Sequence, residues 1–396
     1  MLNKIKNSYT HTIFACGLGY VVQAIVNNFV PLLFVFLSGD FGISLSKITL
    51  LITINFAIQL TIDLLSAGFI DRIGYRASII IANIFASAGL VLLGILPYIM
   101  NPFTGLLTAV CVYAIGGGLL EVVVSPIVEA CPTTHKAATM SLLHSFYCWG
   151  HVIVVILSTL FFRLAGMENW RIASFLWALW PLTNIIYFTL VPIPQLEKDE
   201  KNGGLKNLLS SGLFWLLVLL MLCAGAAELA MSQWASAFAE KSLNITKTTG
   251  DLLGTLMFAT LMGISRVAGV KIIAKLGLRR FLLSSCGLCI ISYLIASCSQ
   301  NPILGLLGCG LCGFSVGIMW PGTYSTAAKL LPSGGTAMFA LLALGGDLGA
   351  SGGPTLVGLV SGALGDNLKA GLLAAVAFPV VLLIGIAMIK KDKMES

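Results

Sequence analysis

The chain has 396 residues, of which 58% are hydrophobic and only 10% charged, with a mean hydropathy of +0.97 and a formal net charge of +7. A soluble chain of this length needs far more charge to cover its surface, so the solvent must be a bilayer. The apolar runs have helix length, and the short alternating segments of a membrane barrel are absent.

Twelve transmembrane helices are expected, at 11–37, 45–70, 77–98, 103–130, 137–164, 172–192, 212–239, 249–275, 280–299, 302–330, 335–363 and 368–389. Lys4 and Lys6 precede a first segment too long for the apolar region of a cleaved leader, so it reads as helix 1. That helix carries Gln23 and Asn27 one turn apart. Helix 2 carries Asn55, Gln59 and Asp63 at i, i+4 and i+8, a continuous polar stripe. Helix 4 holds Glu121 in the middle of an apolar stretch, where an ionisable residue costs roughly 2.5–3.5 kcal/mol at mid-bilayer. A solute or proton path is the leading reason to bear that cost. On helix 5, His144, Tyr147 and His151 share one face. Donors and acceptors beside an aromatic ring suit a polyol or sugar.

Residues 193–210 are the longest polar stretch, and they read as a cytoplasmic linker between an N-terminal six-helix bundle (1–192) and a C-terminal one (211–396). In helix 7, Glu228, Gln233 and Trp234 are candidate solute contacts. Glu228 and Trp234 are six residues apart, so a break near Gly225 or Ser232 is needed to bring both to one cavity. Helix 8 carries Arg266, assigned to gating or to pairing with a carboxylate. Helix 10 carries Trp320 before Pro321. Helix 11 carries Asp347, Ser351 and Thr355 with the spacing of the helix 2 stripe, in a run whose small residues permit close helix packing. A polar seam between helices 2 and 11 is expected, with Asp63 and Asp347 sharing a proton or cation.

With the N-terminus inside, 17 of the 23 Lys and Arg residues fall on the cytoplasmic side and 6 outside, which places both termini in the cytoplasm. The positive charge thus reflects topology, and no nucleic-acid partner is implied. The ten cysteines lie almost entirely within helices and read as packing residues. The sequon at Asn244 falls in an outer loop.

The two halves repeat weakly. FIDRIGYRAS after helix 2 matches IIAKLGLRRF after helix 8. Counting back 11 residues from Gly74 and Gly277 reaches Asp63 and Arg266, and Pro126 corresponds to Pro321. From those prolines, His151 and Asp347 lie 25 and 26 residues on. Such repeats place a site near the bilayer midplane.

Gly68-x-x-Asp71-Arg72-x-Gly74-x-Arg76 resembles the loop 2–3 signature of the major facilitator superfamily. Glu129-x-x-Pro132-x-x-x-Lys136 resembles its partner at the inner end of helix 4. The resemblance covers essentially the whole chain. It implies a charged cytoplasmic latch formed by Asp71, Arg72, Arg76, Glu129 and Lys136. Within the superfamily the chain is most similar to the fucose/glucose/galactose permease branch, through Glu121-x-x-x-Ser125-Pro126, the helix 5 string Leu142–Gly150, and Glu228 with Trp234. It departs from that branch at Asn27, Ser125 and His144, where the branch has Asp, Asn and Gln.

The resulting expectation is a monomeric all-α plasma-membrane protein and a secondary active transporter. It would move a monosaccharide or similar polar solute with protons, or alternatively Na⁺, by alternating access. Glu121, Asp63 and Asp347 are the coupling candidates. Gln23, Asn27, Asn55, Gln59, His144, Tyr147, Glu228, Gln233, Trp234 and Trp320 are the solute candidates. An efflux antiporter is the first rival, and a non-transporting receptor on a transporter scaffold is the second. No nucleotide-binding, zincin or nucleophile-elbow motif is found, so an enzyme or a cofactor is not expected.

Overall fold

The computed structural model describes residues 8–133, 136–194, 208–331 and 335–389. Among them every regular element is a helix: α1 (Tyr9–Asp40), α2 (Leu45–Ile73), α3 (Tyr75–Ile99), α4 (Pro102–Ala130), α5 (Lys136–Ala165), α6 (Trp170–Leu190), α7 (Gly212–Leu243), α8 (247–276), α9 (Leu278–Cys298), α10 (302–330), α11 (Gly335–Ala363) and α12 (Leu368–Met388). Eleven helices among the described residues are long and apolar enough to cross a membrane. The 29-residue α11 stands beside that set. Most of the predicted linker 193–210 lies outside the described residues.

Three helices expected to be continuous are interrupted, each near a proline. Proline lacks the N–H that would bond the carbonyl four residues earlier. In α1, Pro31 sits in a 3₁₀ turn, Val30–Leu33. In α10 the helix breaks between Val316 and Met319, and Pro321 leaves the Gly317 carbonyl without its helical donor. In α12 it breaks at Val376, beside the Ala375 carbonyl that Pro379 cannot reach. Pro97, Pro126, Pro181 and Pro354 ride inside continuous helices instead. The start of α8 contains one wider π turn, Asp251–Leu256.

The chain packs as two compact units, residues 1–43 with 54–198 and residues 44–53 with 199–396. In the first unit α1 packs on α4, α5 and α6, while α3 packs on α4 and α6. In the second unit the same pairs recur six helices on: α7 on α10, α11 and α12, and α9 on α10 and α12. The repeat read from the two loop strings therefore has a structural counterpart. Gly74 (φ 85°, ψ 152°) and Gly277 (φ 80°, ψ 151°) adopt the same left-handed turn, which disfavours any side chain. Two residues past each glycine an arginine caps a helix C-terminus in its own unit. Arg76 donates to the carbonyls of Phe188 and Val191 at the end of α6. Arg279 donates to Ala387 near the end of α12 at 3.1 Å. Both place a guanidinium where unpaired carbonyls and the negative helix end favour a cation.

Small residues set the close helix contacts of each unit. A Cβ at Gly118 on α4 would meet the backbone of Gln59 on α2 at 2.9–3.0 Å. Within the second unit, Cβ atoms at Gly349 and Gly353 on α11 would strike the carbonyls of Leu222 and Ala226 on α7. Also in that unit, Thr53 Oγ1 lies 2.5 Å from Thr355 Oγ1, and Gly358 leaves room for Thr49. Residues 46–53 of α2 therefore pack on α11 within this unit, N-terminal to the Asn55, Gln59, Asp63 stripe.

Candidate functional site

The first unit gathers a polar cluster inside an apolar helix packing. From α1, Tyr20, Gln23 and Asn27 follow one another at i, i+3 and i+7, so they share a face. Gln23 Nε2 donates to Glu121 Oε2 on α4 at 2.7 Å. Asn27 Oδ1 accepts two hydrogen bonds from α2, from Asn55 Nδ2 at 3.1 Å and from Gln59 Nε2 at 2.7 Å. All four amide side chains are buried, at 2–5% exposure. Asp63, one turn beyond Gln59, brings a carboxylate oxygen within 4.8 Å of one of Glu121. The contact at Gly118 makes this approach possible, because any larger residue there would push α2 away from α4.

Two features of this cluster bear on chemistry. Gln23, buried and donating to one oxygen of Glu121, helps fix the orientation of that carboxylate from α1. Asn55 Oδ1 is a buried acceptor with no hydrogen-bond partner, and leaving such an atom unmet costs about 1–3 kcal/mol. Polar groups that a bound solute or ion would complete have this character.

Around the cluster, Tyr20 Oη and Ser125 Oγ are 2.8 Å apart, and the Tyr20 ring lies 5.3 Å from that of His144. Tyr147 Oη accepts from Asn28 Nδ2 at 3.4 Å. His144 is exposed in the isolated chain, whereas His151 is 1% exposed and its Nε2 has no partner. Tyr20 and Asn28 were absent from the sequence-based candidates. Tyr20 was legible in the spacing with Gln23 and Asn27. Asn28 was not, because it lies off that face.

At the ends of α2 and α3, Arg72 is exposed and Arg76 is engaged by the end of α6 as described. The side chains of Asp71, Glu129 and Lys136, the rest of the expected latch, lie outside the described residues.

In the second unit Arg266 Nη2 lies 3.5 Å from Glu228 Oε2, with side-chain exposures of 20% and 9%. The pairing alternative for Arg266 is the one this geometry realises. No break appears in α7, which runs as one helix of 32 residues. Its Ala-rich, proline-free centre has no reason to unwind, and it is buried on every side. Glu228 and Trp234 therefore face different neighbours. Trp234 is fully enclosed and donates Nε1–H to the Pro354 carbonyl at 3.0 Å, so it offers no open face for stacking a solute. Trp320 is wedged against Gly225 and Gly346, with Tyr324 edge-on at 6.3 Å. Gln233 is 2% exposed and Asp347 is 8% exposed.

A family model described as the Major Facilitator Superfamily matches residues 16–354. No curated protein matches the chain significantly. Among solved structures, a bacterial homologue of the human lysosomal transporter Spinster, inward-facing and occupied, matches with a TM-score of 0.75 at 14% identity, covering 99% of each chain. FucP in an outward conformation matches at 0.67 and 18% identity, covering 97% of this chain and 100% of its own. A variant of the Escherichia coli fucose:proton symporter FucP matches at 0.63 and 19% identity, with the same coverages. At these identities the likeness is one of fold.

Proposed function

The chain belongs to the major facilitator superfamily and is a multi-pass membrane transporter, and from that premise we propose that it takes up a small polar solute, a monosaccharide or similar polyol, coupled to protons. In this reading α11 is the twelfth span, both termini are cytoplasmic, and the protein works in the plasma membrane as a monomer by alternating access.

The observation that carries the proposal is the amide–carboxylate cluster of the first unit. Glu121 is the coupling acid, held by Gln23 and close to Asp63. Two carboxylates so near cannot both ionise cheaply, so the pair holds a proton in one state and releases it in another. The unfilled Asn55 acceptor, with Asn27 and Gln59 around it, suits a hydroxyl donor of a sugar. His144 and Tyr147 border the same helix α1 and supply further hydroxyl contacts. Glu228, neutralised by Arg266, orients the second unit's polar surface, and Asp347 is kept as a further titratable acid. The named substrate of the FucP neighbours agrees in chemical class with this proposal.

Uptake of radiolabelled neutral hexoses into proteoliposomes, with an imposed pH gradient, tests it. Accumulation driven by the pH gradient supports the proposal. Accumulation driven only by a sodium gradient moves the coupling to Na⁺. Solute efflux against proton entry, with no sugar uptake, replaces it with the antiporter.

A further inference from the structure

Helix α8 is held by two different neighbours along its length. Its first residues, 247–256, pack on α7. A Cβ at Gly250 would meet the Ala239 Cβ on α7 at 2.9 Å, so the two helices touch closely there. A buried ion lock reinforces the contact. Asp251 is 0% exposed, and its Oδ1 accepts from Ser236 Oγ on α7 at 2.5 Å. Lys247 Nζ donates to both Asp251 oxygens, at 2.7 and 2.8 Å, and to Ser236 Oγ at 2.9 Å. The body of α8, Met257–Leu276, packs on α10. Cβ atoms at Gly313 and Gly317 of α10 would strike the carbonyls of Phe258 and Met262.

The π turn Asp251–Leu256 joins the two parts, and it leaves a polar atom unmet. Thr323, Thr326 and Thr355, on α10 and α11, each donate a hydroxyl to the carbonyl four residues back, at 2.6–2.8 Å. That bond is the local way for a helical threonine to satisfy itself. Thr255, inside the π turn, is 3% exposed, and its Oγ1 is buried with no hydrogen-bond partner. A π turn carries one surplus residue and aligns the carbonyl five residues back. The Asp251 carbonyl, four back from Thr255, is thereby taken out of line. The π form thus carries an unmet hydroxyl, a cost that the lock at the Asp251 side chain offsets.

We propose that the start of α8 is a two-register switch, which passes between this π form, locked on α7, and a regular α-helix in which Thr255 bonds the Asp251 carbonyl. Absorbing the surplus residue lengthens the helix by about 1.5 Å and turns one side of the defect by about 100° against the other. The α10 clasp holds the body, so residues 247–250 are the part that turns. Asp251 and Lys247 then leave the α7 face, Ser236 loses both partners, and the loop 244–246 takes up the displacement. Arg266, in the body, keeps its place beside Glu228. Each register satisfies a group that the other leaves unmet, and that balance keeps two conformations close in free energy. The end of the second unit that the proposed orientation puts outside thereby gains a locked form, with Lys247 drawn in, and a released form, with Lys247 in solvent.

The test uses the purified full chain in neutral detergent at one pH. The rate of Lys247 acylation is read by mass spectrometry and normalised to Lys241, an exposed lysine at the end of α7 in the same molecules. Locked Lys247 has a side-chain exposure of 18%, so its labelling follows the released form. Thr255→Val removes the hydroxyl bond that only the released form makes, and should slow Lys247 about fivefold. Thr255→Ser keeps the hydroxyl and should label like the wild type. Ser236→Ala weakens the lock and should speed Lys247 roughly tenfold. An unchanged rate in Thr255→Val, or an equal slowing in Thr255→Ser, overturns the switch, because a purely structural Thr255 has no route to Lys247. An unchanged rate in Ser236→Ala overturns the lock and the proposal with it. Unfolding temperature gives a second reading of the same variants. Thr255→Val relieves an unmet buried hydroxyl, so it should unfold at or above the wild-type temperature; a clear drop shows the hydroxyl already bonded in the π form and refutes the proposal. No arm measures transport, so failure here and failure of the sugar–proton proposal are distinct results.

Discussion

Replacing Glu121 with Gln separates coupling from solute binding. Glu121 Oε2 accepts from Gln23 Nε2 at 2.7 Å, and a Gln at 121 can present its own carbonyl oxygen to the same donor. A charge-assisted bond becomes a neutral one, a loss of about 1 kcal/mol. Against that, a carboxylate within 4.8 Å of Asp63 is removed. Were both ionised, their repulsion at an effective dielectric of ~20 would be about 3 kcal/mol. The fold should therefore survive with its unfolding temperature changed by a few degrees at most. Function should change sharply. A gradient of one pH unit supplies about 1.4 kcal/mol per proton, enough for roughly tenfold accumulation at zero membrane potential. Wild-type proteoliposomes should approach that ratio, and Glu121→Gln vesicles should not exceed equilibration. Solute exchange at equal concentrations on both sides should persist within a few fold in the variant. Wild-type accumulation by Glu121→Gln would refute the coupling role. Loss of exchange in a folded variant would make Glu121 a solute ligand first.

Other substitutions test the geometry. Arg266→Leu leaves Glu228 nearly buried and unpaired, so it should destabilise by about 3 kcal/mol; adding Glu228→Gln should restore much of that in a thermal-unfolding double-mutant cycle. Gly353→Ala places a Cβ on the Ala226 carbonyl and should lower stability by about 1–3 kcal/mol, whereas Gly352→Ala, with open space around it, should be neutral or slightly stabilising. Arg76→Ala and Arg279→Ala should each cost about 1 kcal/mol by uncapping α6 and α12, with equilibrium solute affinity unchanged by isothermal titration. Trp234→Phe should lose the hydrogen bond to Pro354 and lower the unfolding temperature without weakening solute binding; a tenfold weaker affinity in a stable variant would return Trp234 to the site.

Much of the architecture is legible in the chain because a bilayer imposes two simple rules. Each crossing needs about 20 apolar residues, and every backbone group must be satisfied within the helix. Helix positions follow, and so does the Asn55, Gln59, Asp63 stripe, since the helical period alone puts those residues on one face. The capping arginines at 76 and 279 were visible as a matched repeat, but their targets were not, because those lie more than a hundred residues away. The same holds at the site. That Glu121 needed a partner was readable from its apolar surroundings; that the partner is Gln23, 98 residues earlier, was decided by packing. Asn27 became the hub for Asn55 and Gln59 only when glycines on α4 let α2 approach. Trp234 shows the opposite failure. In a helix apolar on every side, period and composition mark no face, so the sequence could not say whether its ring meets a solute or the Pro354 carbonyl. The Trp234–Pro354 contact joins residues 120 apart and exists only in the folded unit.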